Sequence, residues 1–324
     1  MKAVRLHEFG NEEVLRLEEI PDPIPTDGEA LVRIKVAAVN PGDMTIRAGR
    51  WSLWPIPLPF VLGSEGAGIV EQGGGRFKAG DQVIISGGGL GMQKDGLYVE
   101  RAAVSETLLA PLPPGLSLEQ AAAAPLGFLT AYLALTHTLG LRAGEWALIT
   151  GASGSVGGTG VQIAKALGAK VITVVSSRAK YDKALALGAE HVIDLATEEM
   201  SVGVQRVTNG HGADAVFDSV GGEMAARALA AAAPGGRVAL AGYSAGVISS
   251  ISILDLLKPI TLYGFNLFAI PPELIGAAFG QMLAWLADGT VKPVVDRAFP
   301  LAQAAEAHRH LASRRAFGKV VLTV

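Results

Sequence analysis

The stretch Ala147-Leu148-Ile149-Thr150-Gly151-Ala152-Ser153-Gly154-Ser155-Val156-Gly157 restricts what this chain can fold into more than any other. An apolar strand runs into a tight glycine turn, and the turn opens a helix that continues through the apolar run Val161–Leu167. A second buried strand, Ala169-Lys170-Val171-Ile172-Thr173-Val174-Val175, follows directly. Strand, helix and strand in this order predict a βαβ unit of a parallel sheet. Gly154 allows the backbone to pass close to a pyrophosphate, and Gly157 allows the helix to pack against its strand. The free N–H groups at the helix start then face the anion, which marks Ser153, Gly154, Ser155, Val156 and Gly157 as a dinucleotide site.

The remainder of the chain divides around this unit. With 324 residues, half of them apolar, there is material for about two domains with sizeable cores. Residues 1–115 read as short strands, among them Ala30–Val36, Phe60–Leu62, Gly68–Val70 and Gln82–Ile85, separated by Pro/Gly turns such as Gly73-Gly74-Gly75. Many short strands predict a small barrel-like β domain. Ser117-Leu118-Glu119-Gln120 has capping-box form and starts a helix that Pro125 interrupts, and Leu129–Thr138 reads as a second helix. From Trp146 strands and helices alternate. The strands expected are Ala147–Thr150, Val171–Val175, His191–Asp194, Ala213–Asp218, Arg237–Ala241 and Thr261–Gly264, with helices at Ala179–Leu187, Met200–Val207 and Met224–Ala232. Such an alternation makes an α/β, doubly wound parallel sheet of six strands. The tail offers an amphipathic helix at Pro272–Leu286, another at Leu301–Leu311 and a closing strand at Lys319–Val324, expected to rejoin the N-terminal domain.

Composition excludes several classes. Net charge is −3 with no long basic run, which argues against a nucleic-acid surface. The absence of cysteine excludes disulfides, thiolate nucleophiles and cysteine-ligated metals. The N-terminus is charged, and the most apolar stretch, Ala121–Leu135, is broken by Pro125 and Gly127, so the expectation is a cytoplasmic protein with no membrane partner.

Several further motifs recur in fixed order: Ala38-Val39-Asn40-Pro41-Gly42-Asp43, Leu62-Gly63-Ser64-Glu65-Gly66-Ala67-Gly68, Lys78-Ala79-Gly80-Asp81-Gln82-Val83, Leu129-Thr130-Ala131, Leu187-Gly188-Ala189, Asp218-Ser219-Val220-Gly221-Gly222 and Gly318-Lys319-Val320-Val321-Leu322. With these the chain resembles, nearly end to end, the zinc-independent quinone oxidoreductases of the medium-chain dehydrogenase/reductase superfamily, the zeta-crystallin-like group. The resemblance implies a GroES-like β-barrel domain (residues 1–118 and 268–324), a Rossmann domain (residues 119–267), and a cleft between them holding NADPH. It implies that Asn40, Asp43 and Thr130 lie at the chemistry, with Asn40 and Thr130 beside the nicotinamide and its ribose. It further implies cofactor contacts from the Gly151–Gly157 turn, Ser219, Val220, Gly242-Tyr243-Ser244 and Phe265-Asn266-Leu267. For Asp43, a role as a turn residue around Pro41-Gly42 stands equally with the functional one.

The choice of nicotinamide cofactor is also legible in the residues. NAD-specific folds usually end the second strand with a carboxylate for the ribose 2′-OH. Here that strand ends in Ser176-Ser177-Arg178-Ala179-Lys180, with no acid before Asp182. Hydroxyls leave room for a 2′-phosphate, and Arg178 and Lys180 can pair with it. By resemblance, Lys180 and Arg314 hold that phosphate, although the family's tyrosine after the third strand is Leu195 here. Zinc alcohol dehydrogenases of the superfamily carry cysteine near Asn40 and histidine at Ser64, and neither residue present suits zinc. His308 and His310, two apart on an expected helix, point to different faces. The reading is a metal-free reduction of a quinone or related conjugated carbonyl. Two alternatives stand beside it: an enoyl or alkenal double-bond reductase, and a non-catalytic NADPH-binding protein. Relatives using an enoyl thioester place a tyrosine where Trp51 stands, and an indole cannot act as that acid. Trp51-Ser52-Leu53-Trp54-Pro55 reads either as an apolar lip for a flat acceptor or as packing. Family members are commonly homodimers, and Ile248–Leu257 with the edge strand Thr261–Gly264 are the candidate surface.

Overall fold

Alternating small and branched apolar residues make Glu29–Val39 an 11-residue strand that buries Ala30, Val32, Ile34 and everything from Val36 to Val39. In the computed structural model, which describes residues 1–324, this strand is the spine of a seven-stranded sheet. The order is Val295–Pro300, Lys319–Thr323, Glu29–Val39, Glu65–Gln72, Gln82–Ser86 and Leu109–Pro111, with Arg101–Ser105 also paired to Glu29–Val39. Both strands flanking the spine run antiparallel to it, so both begin where it ends. The registers Val39↔Val320 and Ala37↔Gly66 therefore bring Asn40, Lys319 and Glu65 to one end of three adjacent strands. A smaller sheet of Arg16–Glu19, Lys2–Leu6 and Phe60–Val61 closes over a core that includes Ile34, Ile46, Phe60, Leu62, Leu97 and Tyr98.

The second unit carries the expected parallel sheet of six strands. Its order is His191–Asp194, Lys170–Val175, Trp146–Ile149, Ala213–Asp218, Ala232–Leu240 and Thr261–Gly264. The chain works outward from Trp146–Ile149 in one direction and then restarts on its other side with Ala213–Asp218. The glycine turn thus leaves the sheet at the switch point, where such folds bind their ligands. Leu148, Ile172, Val216 and Val238 centre the core beneath the sheet.

The two compact units are Met1–Leu126 with Pro293–Val324, and Gly127–Lys292. These limits lie a few to some twenty-five residues from the expected divisions at 118 and 268. The helix Leu118–Ala123, capped reciprocally by Ser117 and Gln120, packs on Glu29–Val39 and Glu65–Gln72 and so belongs to the first unit. The helix Pro272–Ala287 belongs to the second: Ala278 clusters with Leu129 and Leu133, and Trp285 meets the rings of Phe128 and Tyr132 edge-on at 5.8 and 5.7 Å. Amphipathic periodicity shows that this helix needs a partner and leaves open which one. The expected helix Leu129–Thr138 begins earlier, at Pro125, and gives way at Ala134–Thr138 to one π-helical turn. No helix is long and apolar enough to cross a membrane.

Candidate active site

The first unit gathers a buried polar cluster around the end of Glu29–Val39. Asn40 is the N-cap of the helix Pro41–Arg47, and Asp43 is its third helical residue. The Asn40 backbone N–H donates to Asp43 Oδ2 at 2.8 Å. The Asn40 side chain points the other way. Its Nδ2 donates to Glu65 Oε1 at 3.1 Å and to Ser64 Oγ at 3.5 Å, while its Oδ1 accepts from Lys319 Nζ at 2.6 Å. Lys319 Nζ also meets Glu65 Oε1 at 2.7 Å, and both side chains are buried. Glu65 Oε2 accepts the N–H of Leu126 at 2.7 Å, in the first turn of the helix Pro125–Leu133. A helix N-terminus and an ammonium together balance this carboxylate.

On the far side of Asp43 a second chain of polar groups runs through the core. Tyr98 Oη donates to Asp43 Oδ2 at 3.2 Å, His308 Nε2 lies 3.2 Å from Tyr98 Oη, and Arg47 Nη1 lies 3.3 Å from His308 Nδ1 and 2.8 Å from Glu12. A guanidinium only donates, so His308 accepts at Nδ1 and carries its proton on Nε2, donating to Tyr98. Burial pushes the Asp43 carboxyl up to about 7, against the Asn40 N–H and Tyr98 O–H that favour its ionised form. Burial, helped by the Arg47 charge, lowers His308 to about 3 and keeps it neutral, while burial raises Tyr98 further from ionisation. In place of the expected turn, Asp43 caps the start of this helix, and it is also a buried titratable group.

In the second unit the helix Ser155–Ala166 starts from Gly154, which is extended and provides no side-chain cap. The leading N–H groups have no side-chain partner there, as an anion site requires. A Cβ on Gly157 would run into the carbonyl of Gly151, whereas one on Gly154 would come only within 3.4 Å of it. Lys180 Nζ reaches back to Ser153 Oγ at 3.5 Å, joining the end of the second strand to the glycine turn. Arg178 instead lies over the Tyr181 ring at 4.1 Å and beside Asp182. Ser176 is exposed and Ser177 half-buried. Across the switch point Thr150 Oγ1 donates to buried Asp218 at 2.5 Å, and Ser219 Oγ donates to the Thr150 carbonyl at 2.9 Å. Asp218 also accepts from the N–H groups of Val220 and Gly221, while its burial raises its pKa. Gly242 packs on the Ser219–Val220 backbone, and Ser244 Oγ donates to the Val220 carbonyl at 3.4 Å. Ser153–Gly157, Lys180, Ser219, Val220 and Gly242–Ser244 therefore come together at the strand ends. Phe265 is tied by its N–H to Leu240, and Asn266 caps the single turn Leu267–Ala269, with Tyr243 and Asn266 exposed.

Of the remaining expected residues, Thr130 lies half-exposed on the helix of the second unit, and Arg314 lies exposed in the first at a turn of positive φ. His308 and His310 do point apart, the second meeting Asp296 at 2.7 Å. Trp51 and Trp54 stack edge-on at 5.1 Å against the first unit's core, and Trp54 donates to the Met92 carbonyl. Sequence reasoning missed Glu65, Lys319, Tyr98 and His308 as members of the cluster. The available signal was a charged residue opening an otherwise apolar strand, in Ser64-Glu65-Gly66 and in Gly318-Lys319-Val320.

Comparison with known proteins agrees with this architecture. Residues 26–114 match the alcohol dehydrogenase GroES-like domain family, and residues 187–322 match the zinc-binding dehydrogenase family. A quinone oxidoreductase of Pseudomonas aeruginosa is 35% identical over 99% of both chains. Among solved structures, an NAD-dependent alcohol dehydrogenase superposes with a TM-score of 0.91 at 36% identity over 100% of both chains. The Escherichia coli quinone oxidoreductase complexed with NADPH superposes with a TM-score of 0.88 at 32% identity, covering 100% of both. With full-length identity above 30% and both family matches in place, this chain belongs to the quinone oxidoreductase family of the medium-chain dehydrogenases/reductases.

Proposed function

We propose that the protein transfers a hydride from NADPH to a quinone or a related conjugated carbonyl, without a metal. The end of strand Lys170–Val175 carries this reading: hydroxyls stand where NAD-specific folds place a carboxylate, and Lys180 reaches the glycine turn. The second unit fits the dinucleotide through the uncapped helix start and Gly154, with Ser219, Val220 and Gly242–Ser244 beside it. The cofactor supplies the hydride when bound. The chain's own residues bind and orient it and keep water out. Zinc, implied by the name of one matching family, does not fit. Asn40 and Ser64 offer only a neutral amide and a hydroxyl, and the one carboxylate beside them, Glu65, is paired with the Lys319 ammonium. No three His, Asp or Glu side chains gather in a group able to hold a metal ion.

A panel of quinones, enals and enoyl thioesters, each with NADPH and NADH, tests the reading. Quinone reduction should favour NADPH by about tenfold or more, the worth of one bond to a charged group. Preference for NADH overturns the cofactor assignment, and turnover of enals or enoyl thioesters alone overturns the acceptor class. Tight NADPH binding with no turnover at all leaves a binding protein. Of these alternatives, the enoyl-thioester reading is weakened by Trp51, whose ring packs on Trp54 and has no usable proton.

The protein is also proposed to act as a homodimer in the cytoplasm. The strand Thr261–Gly264 ends the parallel sheet with one side unpaired. Beside it Val247, Ile248, Ile253, Leu254 and Leu257 are all exposed. An apolar sheet edge of this kind supports pairing with a second copy.

A further inference from the structure

The buried Lys319–Glu65 pair takes no part in the chemistry described so far, and stability does not account for it. Moving two charges out of water is costly, and a pair of apolar side chains of similar volume is often at least as stable. What the pair does achieve is to fix Asn40. An ammonium only donates and a carboxylate only accepts. With Lys319 Nζ 2.6 Å from Asn40 Oδ1 and Glu65 Oε1 3.1 Å from Nδ2, the carboxamide has one orientation, and its flipped form would face like against like on both sides. The Asn40 backbone is held independently by Asp43 at 2.8 Å. The other oxygen of Glu65 holds the N–H of Leu126 at 2.7 Å, where the chain passes from the first unit into the helix that carries Thr130. One carboxylate therefore sets both the Asn40 amide and the start of that helix.

We infer that Lys319 is a positioning residue of the hydride-transfer site: by its bond to Asn40 Oδ1, and with Glu65 at Nδ2, it locks the Asn40 carboxamide in the single orientation the site uses. This rests on the hydride-transfer reading above. Charge retention and amide orientation are separable. Lys319→Met alone leaves a carboxylate buried without its cation and should lower the melting temperature. Lys319→Met with Glu65→Gln removes both charges, so stability should return. The carboxamide that then replaces the Glu65 carboxylate offers a donor as well as an acceptor, however, so the Asn40 amide is no longer restricted to one orientation.

The side-chain amide NMR signals of Asn40, identified by their loss in Asn40→Ala, report orientation without turnover. They should be protected from exchange in the wild type, and shifted and faster-exchanging in the double variant at equal melting temperature. With a quinone acceptor, the double variant should lose about tenfold or more in kcat while KM for NADPH stays within about twofold. The isotope effect from NADPH deuterated at C4 should rise as the hydride step becomes limiting. In an Asn40→Ala background the same two substitutions should cost nothing further. Recovery of wild-type kcat together with stability overturns the inference, as does an equal loss with and without Asn40. Should the wild type reduce no quinone, the function falls separately and the Asn40 signals still decide: unchanged signals in the stable double variant refute the positioning role.

Discussion

At the scale of single residues, Asp43 and His308 form a buried pair linked through Tyr98, and their protonation acts on stability in opposite directions. Asp43 has a folded pKa of about 7, above the ordinary carboxylate value, so the folded state holds its proton more tightly than the unfolded chain. Its contribution to stability is full below about 4 and is lost as pH rises toward 7. His308 has a folded pKa of about 3, below the ordinary imidazole value, so its contribution is full above about 6.5 and is lost as pH falls. Between these limits the two slopes oppose each other. Asp43→Asn should therefore gain stability relative to wild type as pH rises from about 4 to 7, by up to about 1.4 kcal/mol per pH unit. His308→Gln should gain relative to wild type as pH falls below about 6.5. Denaturant unfolding of the three proteins across that range checks both signs, and parallel curves would show that neither group titrates as described. Asp43 was legible as a locally bonded residue, because Asn-Pro-Gly-Asp is a local signal, although a helix start stands where a turn was expected. Its partnership with Tyr98 and His308 was not, since those residues stand 55 and 265 positions away along the chain and no local pattern marks them.

At the scale of elements, the strand–glycine turn–helix segment behaves as its residues require, and two of its glycines separate by role. Gly157 faces the Gly151 carbonyl so closely that no side chain fits, while a Cβ on Gly154 would make only ordinary contact with it at 3.4 Å. Gly157→Ala should destabilise the fold by about 1–3 kcal/mol and weaken NADPH binding with it. Gly154→Ala should leave the melting temperature near wild type and weaken NADPH binding by about tenfold, because its methyl group makes only ordinary contact within the protein and fills the space the backbone leaves for the pyrophosphate. Thermal melts paired with fluorescence titration of NADPH distinguish the two. Equal melting temperatures would contradict the packing role of Gly157. The six parallel strands were all legible because each is a short apolar run between turn residues. The latch of Thr150 on Asp218 and of Ser219 on the Thr150 carbonyl was not, since it joins strand ends that become neighbours only in the sheet.

At the scale of the whole molecule, the exposed apolar segment preceding the edge strand bears on assembly. Leu257 and Ile253 are 73% and 70% exposed beside an unpaired strand. Light scattering after size exclusion should give twice the chain mass for the wild type and one chain mass for Ile253→Lys with Leu257→Lys. A wild-type monomer would refute the dimer. Neighbouring residues and their spacing specify the βαβ unit, the six parallel strands, the cysteine-free chemistry and the missing acid after the second strand, because each imposes its own local geometry. Tertiary structure alone decided that the helix Pro272–Ala287 joins the second unit, and that Lys319 meets Glu65 across 254 positions of chain. An apolar face shows that a helix must be buried without saying against what, and a lone charge opening a strand shows nothing of its counter-ion until strand order places the two side by side. The glycine turn specifies where a dinucleotide lies, while strand order at the end of Glu29–Val39 specifies how firmly Asn40 is held.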